Sequence, residues 1–149
     1  MEVRTLLGQK ARPVHTITGN HTVEDAINLM TVNRVSALII TENDQPIGIF
    51  AERDVFRSYL RDRTAAFSRI KLKNAMTDKL IVAHPADGIS SVTAMMMNAD
   101  IRHIPVIEEK KIIGILTLND LIGHQIDTLT EEIHHLRAYI HDLHEAGQD

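Results

Sequence analysis

Apolar residues recur at helical spacing in two separate windows. Val23, Ala26, Ile27 and Met30 fall at offsets 0, 3, 4 and 7, and Ile89, Val92, Thr93 and Met96 repeat those offsets. Each set predicts a helix with one buried face. Thr22, with Asp25 three residues on, predicts a capping pair for the first. Asp87 or Ser90 is the expected cap of the second. Beyond each helix lies a short apolar run, "SALII" at 36–40 and "HIPVI" at 103–107. Runs of this length, rich in Ile and Val, predict buried strands. A polar turn follows each, "TENDQP" at 41–46 and "EEKK" at 108–111, then a second strand, so each window predicts a hairpin.

The second strands are near-copies: "IGIFAERD" at 47–54 and "IGILTLND" at 113–120. An apolar-patterned helix begins after each Asp, in "VFRSYL" and "LIGHQI". The unit is therefore helix, strand, turn, strand, helix, and it occurs twice. One unit has too small a sheet to bury both of its faces. Two packed together bury them and create a pseudo-twofold axis. The expected fold class is α+β, two small sheets flanked by helices, with a long C-terminal helix. Segment 57–77 has no Pro or Gly and reads as a helix plus a basic link.

A third pattern follows the second unit. Ile126, Leu129, Ile133, Leu136, Ile140 and Leu143 step by three and four in turn. That is an a/d heptad, with Ile at one position and Leu at the other. Such a stripe either folds back on its own domain or covers itself in a dimer, and the heptad favours the dimer.

Composition narrows the chemistry. The chain has 149 residues, 44% of them apolar but only 3% aromatic, so the core is built from aliphatics and Met. The run Met95–Met97 fits that packing. The net charge is −4 with His neutral, and no basic block or set of stacking aromatics marks a nucleic-acid surface. There is no Cys, which excludes disulfides, zinc knuckles and thiol chemistry. No stretch approaches transmembrane length and the first residues lack a signal-like apolar run, so the expectation is a soluble cytoplasmic protein. His124, His134, His135, His141 and His144 crowd the tail. His141 with His144 or Glu145 has helical spacing, but a third ligand is missing and no metal site is expected. No nucleophile elbow, P-loop or Gly-x-Gly-x-x-Gly occurs, so no catalysis is expected.

The repeated phrase keeps a Gly inside a strand and an Asp at the start of a helix. A strand Gly implies close approach of a backbone or a ligand. The Asp has two readings. It caps the helix by accepting backbone N–H bonds, or it accepts the paired hydroxyls of a ribose.

Two such phrases, in register with matched helices and hairpins, resemble a pair of CBS domains, often called a Bateman module. The "IRHIPV" strand and the "MT" at 76–77 carry the same resemblance, which covers roughly residues 13–124. It implies a lead-in at 1–12, a first domain at 13–61, a linker at 62–75, a second domain at 76–124, and a dimerisation helix at 125–149. It also implies two clefts, each shared between the repeats and able to take an adenosine-containing ligand (AMP, ADP, ATP, NAD(H) or S-adenosylmethionine). One cleft joins Asp120 and Thr117 to Thr16, Ile17, Ala37 and Leu38. The other joins Asp54 to Val82, Ala83, Ile104 and Pro105. Ala51 stands there in place of the family's Ser or Thr. Arg53, Arg102 and His103 would line the Asp54 cleft as a phosphate contact or form a solvated, ion-paired cluster. The implied function is regulatory ligand sensing, with no cofactor required, a homodimer, and a separate effector protein. The alternative is a non-catalytic dimerisation scaffold with vestigial clefts.

Overall fold

The computed structural model describes residues 1–10 and 12–147. In the first repeat, β1 (Thr16–Thr18) and α2 (Val23–Asn33) precede the hairpin of β2 (Ala37–Glu42) and β3 (Gln45–Ala51), which runs into α3 (Glu52–Arg61). In the second, α5 (Ile89–Ala99) precedes the hairpin of β4 (His103–Glu108) and β5 (Lys111–Thr117), which runs into α6 (Leu118–Ala146). Ahead of these units stand two short helices, α1 (Val3–Gln9) and α4 (Leu72–Ala75). Between α3 and α4 the chain is irregular apart from one 3₁₀ turn at Phe67–Arg69.

The repeats agree in fine detail. Both hairpins are antiparallel and both carry a register shift, after Ile40 and after Val106. Both turn through two residues of positive φ, Asn43 and Asp44 at 51° and 60°, Glu109 and Lys110 at 51° and 66°. That conformation matches the right-handed twist of the strands. Asn and Asp tolerate it, whereas Glu and Lys are strained by it. Both α2 and α5 end on a residue at φ 54°, Arg34 and Asp100.

Two differences have identifiable causes. The capping pair forms at α2, where the Thr22 hydroxyl accepts from Asp25 N–H (3.1 Å) and the Asp25 carboxylate accepts from Thr22 N–H (3.0 Å). At α5 the expected cap is absent. Gly88 is the N-cap, without a side-chain bond. The Asp87 carboxylate is instead drawn to the His84 N–H at 2.8 Å, and Ser90 lies inside the helix. The second difference is at the sheet edge. In the first repeat Ile39 N–H donates to His15 C=O at 3.1 Å, and β1 pairs with β2 in parallel. Pro105 occupies the matching position of the second repeat and has no N–H to give. There the ladder shrinks to a single bridge between Ala83 and Val106, and the second sheet has two strands where the first has three.

Each leading helix crosses to the other repeat. Val3 and Leu6 of α1 are buried in one cluster with Ile89, Val92, Met96, Ile104, Val106, Leu116 and Leu121 of the second repeat. Leu72 of α4 is buried with Val23, Ala26, Met30, Leu38, Ile40 and Phe50 of the first. The segments expected as lead-in and linker are thus core pieces. Of the methionine run, Met96 is fully buried, Met95 packs against the same cluster, and Met97 points outward.

The C-terminal helix is not a separate piece. One unbroken α6 starts at Leu118 inside the second repeat, with Leu121 in its core. From Ile126 to Gly147 every residue is exposed, so the stripe does not fold back on its own domain. Residues 148 and 149 lie outside the described residues. Among the described residues, no helix is long and apolar enough to cross a membrane.

Candidate functional site

The two strand glycines answer to what crosses over them. A Cβ on Gly48 would stand 2.7 Å from the Met76 sulfur and 2.7 Å from the Thr77 carbonyl oxygen. That backbone pairs with β3, as Ile49 and Thr77 exchange N–H···O bonds of 3.0 and 2.9 Å. A Cβ on Gly114 would meet the Leu7 side chain of α1. The missing side chains therefore admit the two leading segments.

Those segments lead to the two repeated acids. The helices begin earlier than the phrase suggests, so Asp54 and Asp120 occupy the third position of α3 and α6. In each acid one oxygen caps. Asp120 Oδ2 accepts from Thr117 N–H at 2.9 Å, and the Thr117 hydroxyl accepts from Asp120 N–H at 3.1 Å. Asp54 Oδ2 accepts from Ala51 N–H at 2.9 Å. Ala51 has no hydroxyl to answer, so α3 keeps only half of this arrangement.

The second oxygen distinguishes the acids. Asp54 Oδ1 accepts from the Thr77 hydroxyl at 2.8 Å and stands 3.6 Å from Arg57 Nη1, with Asp54 only 3% exposed. Asp120 Oδ1 accepts from Arg12 Nη2 at 2.8 Å, and the Arg12 side chain is 36% exposed. Burial works against ionisation of Asp120. The Thr117 N–H and the Arg12 guanidinium outweigh it and hold the carboxyl below its ordinary range.

Beside Asp120 lies His103, opposite Thr117 in the β4–β5 register. Its Nε2 is 2.7 Å from the Ser36 hydroxyl, a bond that joins the second repeat to the first. Desolvation dominates its titration and lowers its pKa. Glu52 and Asp120 pull the other way, and Arg102 and Arg12 add to the lowering. The charges around His103 thus come from both sides, from Glu52 in the first turn of Asp54's helix as well as from Asp120 and Arg12, whereas the sequence reading set it beside Asp54 alone. Arg53 does not point a free guanidinium into a cleft either. It donates to the Asp100 carbonyl at 2.9 Å and to the Asp100 carboxylate at 3.5 Å, across the repeats at the end of α5.

The remaining expected residues divide by burial. Leu38, Ala83 and Ile104 are wholly inside the cores, and Ala37 and Pro105 are buried. Their side chains are closed to solvent. Pro105 C=O already accepts from Ala83 N–H at 2.9 Å. Thr16 and Arg102 are exposed, and Ile17 and Val82 half-buried. A cavity of about 520 Å³ opens beside Arg12, lined by Leu7, Gly8, Pro13, Ile113 and Gly114. It contains none of the expected base-contact residues.

Arg12, Ser36 and Thr77 were missed by sequence reading. Thr77 belongs to the "MT" phrase, and it stands five residues before Val82 as Ala11 does before Thr16. Counting back from Thr16 would have brought the neighbourhood of Arg12 to notice. Ser36 carried no signal.

Comparisons with known proteins bear on the family and the fold. A family model described as CBS domain matches residues 9–61 and again 72–127. The chain is 34% identical over 128 residues to CBS domain-containing protein CBSX3, mitochondrial, of Arabidopsis thaliana, covering 83% of this chain and 62% of that one. The chain thus spans less than two thirds of that relative. Among solved structures, the CBS-domain containing protein ATU1752 from Agrobacterium tumefaciens superposes with a TM-score of 0.77 at 25% identity, covering 84% of this chain and 99% of that one. The CBS domain pair of protein MJ0100, solved with 5′-methylthioadenosine and S-adenosyl-L-methionine, gives 0.71 at 21% identity, covering 86% and 97%. At that identity it speaks for the fold alone.

Proposed function

This chain belongs to the CBS-domain family as a pair of repeats, and on that premise we propose that it is a non-catalytic regulatory module sensing an adenosine-containing ligand at Asp120. The observation that carries the reading is the difference between the two acids. Asp54 is buried and both its oxygens serve the fold. Asp120 caps with one oxygen and offers the other to a half-exposed guanidinium that can move away. In this reading the ribose hydroxyls replace Arg12 on Asp120. Arg12 then turns with Arg102 toward a phosphate or carboxylate of the ligand, a role that suits its planar fork. Thr16 and Ile17, with the backbone of Ala37 and Leu38, flank the base.

The Asp54 cleft, with Ala51, Val82, Ala83, Ile104 and Pro105, is the weaker of the two in this proposal. Its acid is already satisfied, which favours a structural role there and is the part of the scaffold alternative we keep. Elements of both repeats meet at Asp120, so occupancy can bias their relative angle. The signal passes to a separate effector protein or through a homodimer, in a cytoplasmic setting.

The test is thermal unfolding with AMP, ADP, ATP, NAD⁺, NADH and S-adenosylmethionine, on wild type, Asp120→Asn and Asp54→Asn. A ligand at a hundred times its dissociation constant raises the midpoint by about 5–11 °C. The rise should vanish in Asp120→Asn and persist in Asp54→Asn. No rise with any ligand at millimolar concentration leaves the scaffold.

A further inference from the structure

The uncovered helix α6 carries information about its partner. Ile126, Leu129, Ile133, Leu136, Ile140 and Leu143 are each more than half exposed, on a segment whose every residue is exposed. In proteins most helical stability comes from packing of an amphipathic face, and this face is unpacked within the chain. Something must cover its stripe, and the residues along it discriminate among occupants.

We propose that the stripe pairs with the same stripe of a second copy as a parallel, in-register, two-stranded coiled coil. This rests on the homodimer within the reading above and adds its orientation, register and surface. Every a position, 126, 133 and 140, is Ile, and every d position, 129, 136 and 143, is Leu. β-branched residues at a with Leu at d favour two parallel strands over higher orders. The flanking positions agree. Glu132 is at g and Arg137 at the e position of the next heptad, so in a parallel pair each Glu132 faces the partner's Arg137, twice by symmetry. The pairs next to it join Gln125 to Thr130 and Tyr139 to His144, without like charges. An antiparallel pair that matched Ile133 with Leu136 would set Arg137 against Thr130 and Glu132 against Tyr139. It would gain no ion pair.

The arrangement has a consequence for the Asp120 site. Asp120 lies in the first turn of the same helix, about 9 Å along the axis from Ile126. A parallel coil therefore places both Asp120 sites at one end of the dimer, each a rigid step from the pairing surface.

The chain has no Cys, so a single introduced Cys reports one position. Leu129→Cys and Leu143→Cys, each alone and oxidised with diamide, should each give a covalent dimer, because like residues at d face each other in a parallel coil. In an antiparallel coil the two copies of residue 129 stand about 16 Å apart, beyond the roughly 7 Å a disulfide spans. Linking only in a mixture of Leu129→Cys with Ile140→Cys overturns the orientation. Glu132→Arg should raise the dimer dissociation constant by about tenfold, and adding Arg137→Glu should restore it. Sedimentation separates the rest. A dimer that survives Leu136→Asp overturns the coil and leaves the homodimer, held then by a surface such as the exposed Phe56, Tyr59 and Leu60 of α3. A wild-type monomer overturns both. Neither result touches the nucleotide reading, which the thermal shifts test independently. Circular dichroism of each variant confirms that the repeats stay folded.

Discussion

Arg12 and Asp120 are 108 positions apart and meet at 2.8 Å. The contact is made where the chain leaves α1, packed on the second repeat, and crosses to β1 in the first. The opposite crossing, where the chain leaves α4 for the second repeat, brings the Thr77 hydroxyl to Asp54 at 2.8 Å. Each repeated acid therefore holds the segment that passes over it. One is held by a neutral hydroxyl in a covered place, the other by a cation near solvent.

Arg12→Ala should separate the two roles given to Arg12. An ion pair this open stabilises by no more than about 1 kcal/mol, so the fold should persist. If Arg12 turns to the ligand's phosphate, affinity for AMP should fall at least tenfold in isothermal titration while adenosine loses little. Affinities that hold level or rise for both would assign Arg12 to the carboxylate alone, since its removal then only frees Asp120.

Asp54→Ala should cost more stability than Asp120→Ala in urea unfolding. Asp120→Ala removes a cap contact worth about 1 kcal/mol. Asp54→Ala removes a comparable contact and also strands the Thr77 hydroxyl, adding about 1–3 kcal/mol.

His103 should make stability fall on acidification. Its folded pKa is lowered from 6.5, chiefly by desolvation. The unfolded chain therefore binds the proton more readily than the folded one. Stability is full above about pH 6.5 and declines as pH drops below it toward the folded value. Midpoints between pH 8 and 5 should show this decline, and His103→Gln should flatten it.

Asp120 makes its own contribution at lower pH. Its pKa is held below 3.8, so the stability it adds is present above that value and is lost as pH falls through the folded pKa. The wild type and Arg12→Ala should accordingly converge in stability only once the pH has fallen through the folded pKa of Asp120, which lies below 3.8.

The glycines should not be equivalent. Gly48→Ala meets backbone and should cost about 1–3 kcal/mol, whereas the flexible end of Leu7 can yield to Gly114→Ala. Thermal unfolding of both, with Leu7→Ala as a partner for Gly114→Ala, should show rescue only in the second case. At the second hairpin, Lys110→Gly should stabilise by about 1 kcal/mol, because it relieves a side chain held at φ 66°.

The helices and hairpins were legible from periodicity, and the pairing of two units from repetition. Helix starts were read three residues late, after Asp54 and Asp120 instead of at Glu52 and Leu118, because the capping position lies on the strand's last residue. The cap of α5 was misread because Asp87 finds a nearer donor in the His84 N–H.

The strand Gly is the instructive case. Its place in the sequence announced a close approach without naming the visitor, and the visitors proved to be Thr77 with Met76 at one copy and Leu7 at the other. Likewise, the repeated Asp announced a carboxylate at a helix start without saying what its second oxygen would meet.

By itself the amino-acid sequence determined two copies of one α+β unit, the apolar faces that bury them, and a heptad stripe beyond, because periodicity and turn chemistry act between near neighbours in the chain. Only the tertiary structure decided that α1 and α4 exchange repeats, that Arg12 rather than Arg53 reaches a repeated acid across the repeats, and that α6 stands uncovered. Those outcomes depend on which surfaces meet after the chain has crossed from one repeat to the other, and no local spacing encodes that crossing.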